Sequence, residues 1–121
     1  MAGGKVDILV VDDDPWIVEL VVMAAEERGW TVQSAPDGPN ALQQIQHVRP
    51  RLVLLDVRLP RQDGWSTLRD IHDVPNHPPV IMMTADQQDQ DAGKEHGAAA
   101  ILRKPFGIQA FLSLLSRFLD S

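Results

Sequence analysis

Ile8-Leu9-Val10-Val11-Asp12-Asp13-Asp14-Pro15 is the stretch whose reading decides the fold. Four consecutive apolar residues with no polar alternation read as a strand buried on both faces, as in a parallel sheet. Three carboxylates follow at once, and then a proline. Asp14 before Pro15 is a helix start: a carboxylate N-cap, then a residue whose φ is pre-set for the first turn. A buried strand therefore runs straight into a helix, with acidic residues at the junction.

The same units recur downstream. Leu52 to Leu55 and Val80 to Met83 are further unbroken apolar runs. Helical spacing appears between them. Pro15 to Arg28 repeats at Ile17, Leu20, Val21 and Ala24, with Gly29 as the stop. Ala41 to Val48 repeats at Leu42, Ile45 and Val48, before Pro50. Ile108 to Leu119 repeats at Phe111, Leu112, Leu115 and Leu119. Thr31 to Ala35 and Ala100 to Arg103 read as weaker edge strands. Asp86 to Glu95 is the most polar stretch and must hold the fourth helix or a loop, weakened by Gly93. Strand and helix alternate five times. This is the α/β pattern of a parallel sheet with helices on both faces.

Composition bounds the function. The 121 residues suit one domain, able to bury about two thirds of its unfolded surface. There is no Cys, which excludes disulfides, thiol nucleophiles and Cys-ligated metals. Hydrophobic residues are 44% and charged residues 23%, an ordinary globular balance. No apolar run reaches the ~20 residues that would span a bilayer. Met1 to Lys5, with one charged side chain and two glycines, does not read as a signal peptide. The expected setting is therefore the cytoplasm, away from a membrane. Lys plus Arg total 11 against 17 Asp plus Glu, a net charge of −6. Direct nucleic-acid binding wants a basic stripe, and none is visible.

In an open parallel sheet, ligands bind outside the carboxyl ends of the strands. Asp12 and Asp13 follow the first strand, Asp56 ends the third, Thr84 and Ala85 end the fourth, and Lys104-Pro105 ends the fifth. Carboxylates sharing a small site repel, and a hard divalent cation relieves that repulsion. Lys104 offers a charge for an anion, and Thr84 a hydroxyl donor. Such a set suits a phosphoryl group in transfer, and a central carboxylate can be its nucleophile. Asp56, on the central strand, is best placed.

On these residues the chain resembles the receiver domain of two-component response regulators. The matching pieces are ILVVDDDP (Ile8 to Pro15), LVLLDVRLPRQDGW (Leu52 to Trp65), VIMMTA (Val80 to Ala85) and GAAAILRKPF (Gly97 to Phe106). They occur in order, each at a strand end, and the resemblance runs from about Asp7 to Leu119. It implies a flavodoxin-like doubly wound sheet of order 2-1-3-4-5 with five helices. It implies that Asp56 is the phosphoacceptor. Asp13 would be a direct Mg²⁺ (or Mn²⁺) ligand, Asp12 would act mainly through metal-bound water, and the Arg58 carbonyl would complete the set. Thr84 and Lys104 would bind the phosphoryl group, with Ala85 beside Thr84, and the Lys104–Pro105 bond would be cis. Gly64 takes the family's small position in the turn before the third helix. Arg58 and Asp86 fall at the positions that tune phosphoryl lifetime, and their opposite charges allow an ion pair across the entrance, the alternative being two independent solvated side chains. The donor would be a sensor histidine kinase or a histidine phosphotransfer protein.

Other residues carry plainer readings. Asp14 is taken as a helix cap only. His47, His72, His77 and His96 share no metal-ligand spacing and are taken as surface residues. Trp30 should pack where the second strand begins, and Trp65 should be core. Trp16 fits either core or pocket rim.

The chain also departs from the pattern. Ile101 stands where the family often has an aromatic residue that swings inward, and there is no Tyr in the chain. The stretch from Thr84 to Gly97 is short, so the fourth helix should be short or poorly formed. Its polarity (Gln87, Gln88, Asp89, Gln90, Asp91) argues against a large apolar dimer interface. The fifth helix, with Phe111, Leu114, Leu115 and Phe118, offers a wider apolar face. A monomer or weak homodimer is expected. No output domain is expected within the chain, leaving either a stand-alone receiver acting through an unknown partner or a receiver from a longer protein.

The leading reading is a phospho-switch rather than an enzyme, with only self-phosphorylation and self-dephosphorylation as chemistry. An aspartyl-phosphate phosphatase would want a second acid in a D-x-D arrangement, but Val57 and Arg58 follow Asp56. A flavin module would want a Ser/Thr/Gly-rich phosphate loop where three aspartates stand. A degenerate, docking-only receiver is disfavoured by the complete set of Asp12, Asp13, Asp56, Thr84 and Lys104.

Overall fold

The computed structural model describes residues 6–120, so the reading of Met1 to Lys5 falls outside the described residues. The elements in chain order are β1 (Ile8–Val11), α1 (Pro15–Glu27), β2 (Val32–Ala35), α2 (Gly38–Val48), β3 (Leu52–Asp56), α3 (Gly64–His72), β4 (Val80–Thr84), α4 (Asp89–Glu95), β5 (Ala100–Arg103) and α5 (Ile108–Leu119). The strands form one sheet of order β2-β1-β3-β4-β5, with every pairing parallel. The α/β class agrees with the sequence pattern, and the strand order with what the family resemblance implies.

Each apolar run supplies both faces of the sheet, because successive side chains point to opposite sides. Ile8, Val10, Leu52, Leu54, Ile81 and Met83 pack with Val21 and Ala24 of α1 and Phe111 and Leu115 of α5. Leu9, Val11, Val53, Leu55, Val80 and Met82 pack with Ala41 and Ile45 of α2 and Leu68 and Ile71 of α3. Burial on both faces explains why the central strands show no polar alternation.

Local chemistry sets the helix boundaries. The Asp14 carboxylate accepts the Trp16 N–H at 2.9 Å, as a cap should. α1 ends at Glu27, with Arg28 as its C-cap, and Gly29 takes the left-handed φ of 76° that closes such an end. α2 starts at Gly38, three residues before the expected Ala41. The cause is Asp37, whose carboxylate accepts the Asn40 N–H at 2.8 Å, followed by Pro39 in the first turn. α4 spans only 7 residues, and its N-cap Gln88 makes no side-chain capping bond. The polar stretch thus does form a short helix.

Three side-chain expectations need correction. Trp65 is not core: it is partly buried and stacks on His96 with ring centroids 5.1 Å apart. Trp16 is 79% exposed, which removes the core alternative. His72 is half-buried rather than surface, packed 4.8 Å from the His77 ring. Burial and then His77 push its pKa down. Trp30 is buried in the core as expected. Leu114 and Phe118 pack partly buried against the core, which narrows the free apolar face of α5.

Gly64, the first residue of α3, fixes how closely that helix follows β3. Its N–H donates to the Val57 carbonyl at 2.8 Å. A Cβ there would lie 2.3 Å from the Asp56 carbonyl oxygen and 2.7 Å from Val57 Cα. These are backbone atoms, and moving them displaces the end of β3. Gly64→Ala should lower the unfolding free energy in urea by about 1–3 kcal/mol. Gly107→Ala, where a Cβ meets nothing within 4 Å, should leave the urea midpoint near the parent value.

Candidate functional site

The parallel sheet brings the ends of β1, β3, β4 and β5 to one edge. Strand register puts Asp56 beside Met83 and Thr84 beside Arg103. Asp12, Asp56 and Thr84 are buried there, while Asp13 is exposed. One carboxylate oxygen from each of Asp12, Asp13 and Asp56 lies within 4.8 Å of the others. The Lys104 Nζ reaches in from β5, 2.9 Å from Asp12 Oδ2 and 3.5 Å from Asp56 Oδ1. The peptide bond between Lys104 and Pro105 is cis, as the resemblance implied.

Backbone amides hold the carboxylates in place. The Asp14 N–H donates to Asp12 Oδ1 at 2.9 Å, and the Arg58 N–H donates to Asp56 Oδ1 at 3.3 Å. The second bond sets the Arg58 backbone directly beside the Asp56 carboxylate. Burial, and then the charge of Asp12, push the Asp56 pKa up to about 6, against the opposing pull of Lys104. Burial works against the Lys104 charge too, but its hydrogen bond to Asp12 and the attraction of both carboxylates more than offset it. Its pKa is raised.

This donor set fits a hard divalent cation. It offers carboxylate oxygens, the ligands Mg²⁺ prefers, and the exposed Asp13 puts one of them within reach of solvent. Two buried carboxylates share one ammonium, so negative charge is in excess. A cation held among Asp12, Asp13 and Asp56 would offset that excess.

Of the two readings for Arg58 and Asp86, the structure favours separate side chains: no ion pair joins them among the described residues. Both residues line one surface depression, with Ala85, Gln87, Gln88 and Arg103. Asp86 instead spends its Oδ1 accepting the Gln88 N–H at 2.9 Å, a short-range bond that competes with a reach across the entrance.

One residue of the site was missed. The Thr84 hydroxyl donates to Asp89 Oδ2, and Thr84 Oγ1 accepts the Asp86 N–H at 3.0 Å. In the sequence Asp89 is one of several polar residues in the stretch that must hold the fourth helix or a loop. No spacing rule marks an acid five positions past a strand end as its partner.

Comparisons with known proteins agree with this geometry. A family model described as the response regulator receiver domain matches residues 8–116. The chain is 37% identical over 109 residues to a probable transcriptional regulatory protein, TcrX, of Mycobacterium tuberculosis, covering 88% of this chain and 47% of that one. It is 35% identical over 117 residues to the response regulator MprA of Mycobacterium ulcerans, covering 95% and 50%. The chain thus spans about half the length of these curated relatives. A putative response regulator from Chloroflexus aurantiacus superposes with a TM-score of 0.90 at 31% identity, over 98% of this chain and 100% of that one. The receiver domain of NtrX from Brucella abortus gives 0.87 at 32%, over 95% and 99%.

The charge excess has a measurable consequence in chelator. The folded pKa of Asp56 lies near 6, above the ordinary 3.8. The folded state therefore holds this proton more tightly than the unfolded chain, and ionising Asp56 removes stability as pH rises between those values. Asp56→Asn has no such proton. In metal-free buffer its melting temperature should rise relative to the parent between about pH 4 and pH 6 and level off above, as read by circular dichroism. A difference that is flat with pH would contradict the charge account.

Proposed function

The chain belongs to the response regulator receiver domain family, and we propose that within it Asp56 accepts a phosphoryl group from a phosphohistidine, with Mg²⁺ or Mn²⁺, and thereby switches the binding of a partner. The observation that carries this reading is the placement of the Lys104 Nζ 3.5 Å from Asp56 Oδ1, with Asp12 and Asp13 clustered on the same carboxylate. The carboxylate proposed as nucleophile thus lies beside an ammonium and two further carboxylates that could donate to a metal.

An Asp56 carboxylate oxygen attacks phosphorus. The P–N bond to the donor histidine breaks, the imidazole leaves, and an aspartyl phosphate remains. Lys104 binds one phosphoryl oxygen, and the Thr84 hydroxyl, freed from its present partner, donates to another beside Ala85. Asp12, Asp13, Asp56 and the Arg58 carbonyl would hold the cation. When bound, it supplies charge neutralisation at the phosphoryl oxygens. In self-dephosphorylation, a separate step, water attacks phosphorus, the P–O bond to Asp56 breaks, the Asp56 carboxylate is restored and inorganic phosphate leaves.

Receivers of this family generally act as phospho-switches rather than catalysts of external substrates. The donor here would be a sensor histidine kinase or a histidine phosphotransfer protein in the cytoplasm. The output would be a separate partner or a further domain. With net charge −6, direct contact with nucleic acid is not this domain's task. A docking-only receiver would have no use for Lys104 set against two carboxylates, which is why the phospho-switch is preferred.

Incubation with Mg²⁺ and acetyl phosphate should add one phosphoryl group to the intact chain by mass spectrometry, mapped to the peptide containing Asp56. Asp56→Asn should remain unlabelled, and labelling of that variant at the parent rate would overturn the assignment. Mg²⁺ alone should raise the melting temperature by mass action on the folded state, and Asp13→Ala should lose that shift. The rim makes a separate prediction. With no ion pair between them, Arg58→Ala and Asp86→Ala should change the decay of the phosphorylated chain independently. The double variant should equal the product of the two rate factors. A shortfall from that product would mean the pair forms once Asp56 is phosphorylated.

A further inference from the structure

We propose that Asp89 is a positioning residue that holds the Thr84 hydroxyl away from the phosphoryl site, so that phosphoryl capture and release of the α4 N-terminus are one event. The inference rests on the reading of Asp56 as phosphoacceptor and adds to it a specific competitor. Thr84 is 3% exposed and has a single hydroxyl proton. That proton is donated to Asp89 Oδ2, while the oxygen accepts the Asp86 N–H at 3.0 Å. The hydroxyl cannot donate to Asp89 and to a phosphoryl oxygen together. A phosphoryl group carries close to two negative charges at neutral pH and draws the donor more strongly than one carboxylate. Once it is in place, Asp89 loses its partner.

The consequence falls on α4, because Asp89 is the first residue of that helix. Gln88 supplies no side-chain cap, so the bond to Thr84 is the side-chain tie between the start of α4 and the end of β4, beside a 3.3 Å backbone bond from the Asp89 N–H to the Asp86 carbonyl. Further along, Gly93 lies under Ile101: a Cβ on Gly93 would sit 2.3 Å from Ile101 Cδ1. α4 is therefore seated on the sheet at two points, the Thr84–Asp89 bond and the Gly93–Ile101 contact. With isoleucine at 101 and no tyrosine in the chain, no phenol is present to rotate. Redirecting the Thr84 hydroxyl hydrogen bond from Asp89 to the phosphoryl group loosens the first point directly. Linkage requires the converse: the latch weakens phosphoryl capture by the factor by which capture weakens the latch.

The test uses beryllofluoride with Mg²⁺, titrated into the full chain and followed by calorimetry. Asp89→Ala should bind the probe about tenfold more tightly than the parent, the scale of one charge-assisted hydrogen bond. Asp89→Asn, nearly isosteric and a weaker acceptor, should fall between. In a Thr84→Ala background, Asp89→Ala should give no further tightening. That arm separates the latch from the simple removal of a negative charge, and Thr84→Ser should restore the effect. Amide hydrogen exchange in the first turn of α4 should be faster in Asp89→Ala without the probe, and in the parent only with it. Equal or weaker binding by both Asp89 variants overturns the latch, and so does tightening that persists without Thr84. If the parent itself binds no beryllofluoride, the reading of Asp56 falls and the latch falls with it. If the parent binds and the variants match it, only the latch falls.

Discussion

Two buried carboxylates sharing one ammonium are the constraint on which this site depends. Asp12 and Asp56 both lie against the Lys104 Nζ, at 2.9 and 3.5 Å, with the exposed Asp13 carboxylate in the same cluster. At an effective dielectric of about 20, like charges some 4 Å apart repel by about 4 kcal/mol. One lysine does not cancel two such neighbours, and burial first, with the Asp12 charge added to it, raises the pKa of Asp56. On the proposed reading, the same imbalance would make the site receptive to a divalent cation.

The fold exists to hold that unfavourable arrangement. Asp12 and Asp56 follow uninterrupted apolar strands whose residues are buried on both faces. A parallel sheet has no choice but to place their carboxyl ends on one edge. Gly64 lets α3 begin against the backbone of Asp56 without a side chain in between. The apolar faces of β1, β3 and β4 thus supply the stability that the acidic edge gives up.

Much of this was legible because it lies in short, contiguous patterns. A strand, an acidic end and a helix start are adjacent in Ile8 to Pro15, and the strand-end residues Asp56, Thr84 and Lys104 follow from where apolar runs stop. What was not legible depends on side chains choosing among partners. Arg58 and Asp86 have the charges for a pair, yet Asp86 caps its own turn instead. Trp65 has a core residue's composition but shares its ring with His96 at the surface. The start of α2 was misplaced because the Asp37 cap and Pro39 precede the first apolar repeat. The Thr84–Asp89 bond joins residues five apart through a loop whose course no periodicity describes.

The charge imbalance is tested most directly by following the Asp56 side-chain carboxyl carbon by ¹³C NMR across a pH titration, with and without Mg²⁺. The account predicts a pKa near 6 in chelator, and a clear fall when Mg²⁺ is added, because the cation favours the charged form. An Asp56 that titrates at its ordinary value in chelator, or one whose titration Mg²⁺ does not move, would contradict it.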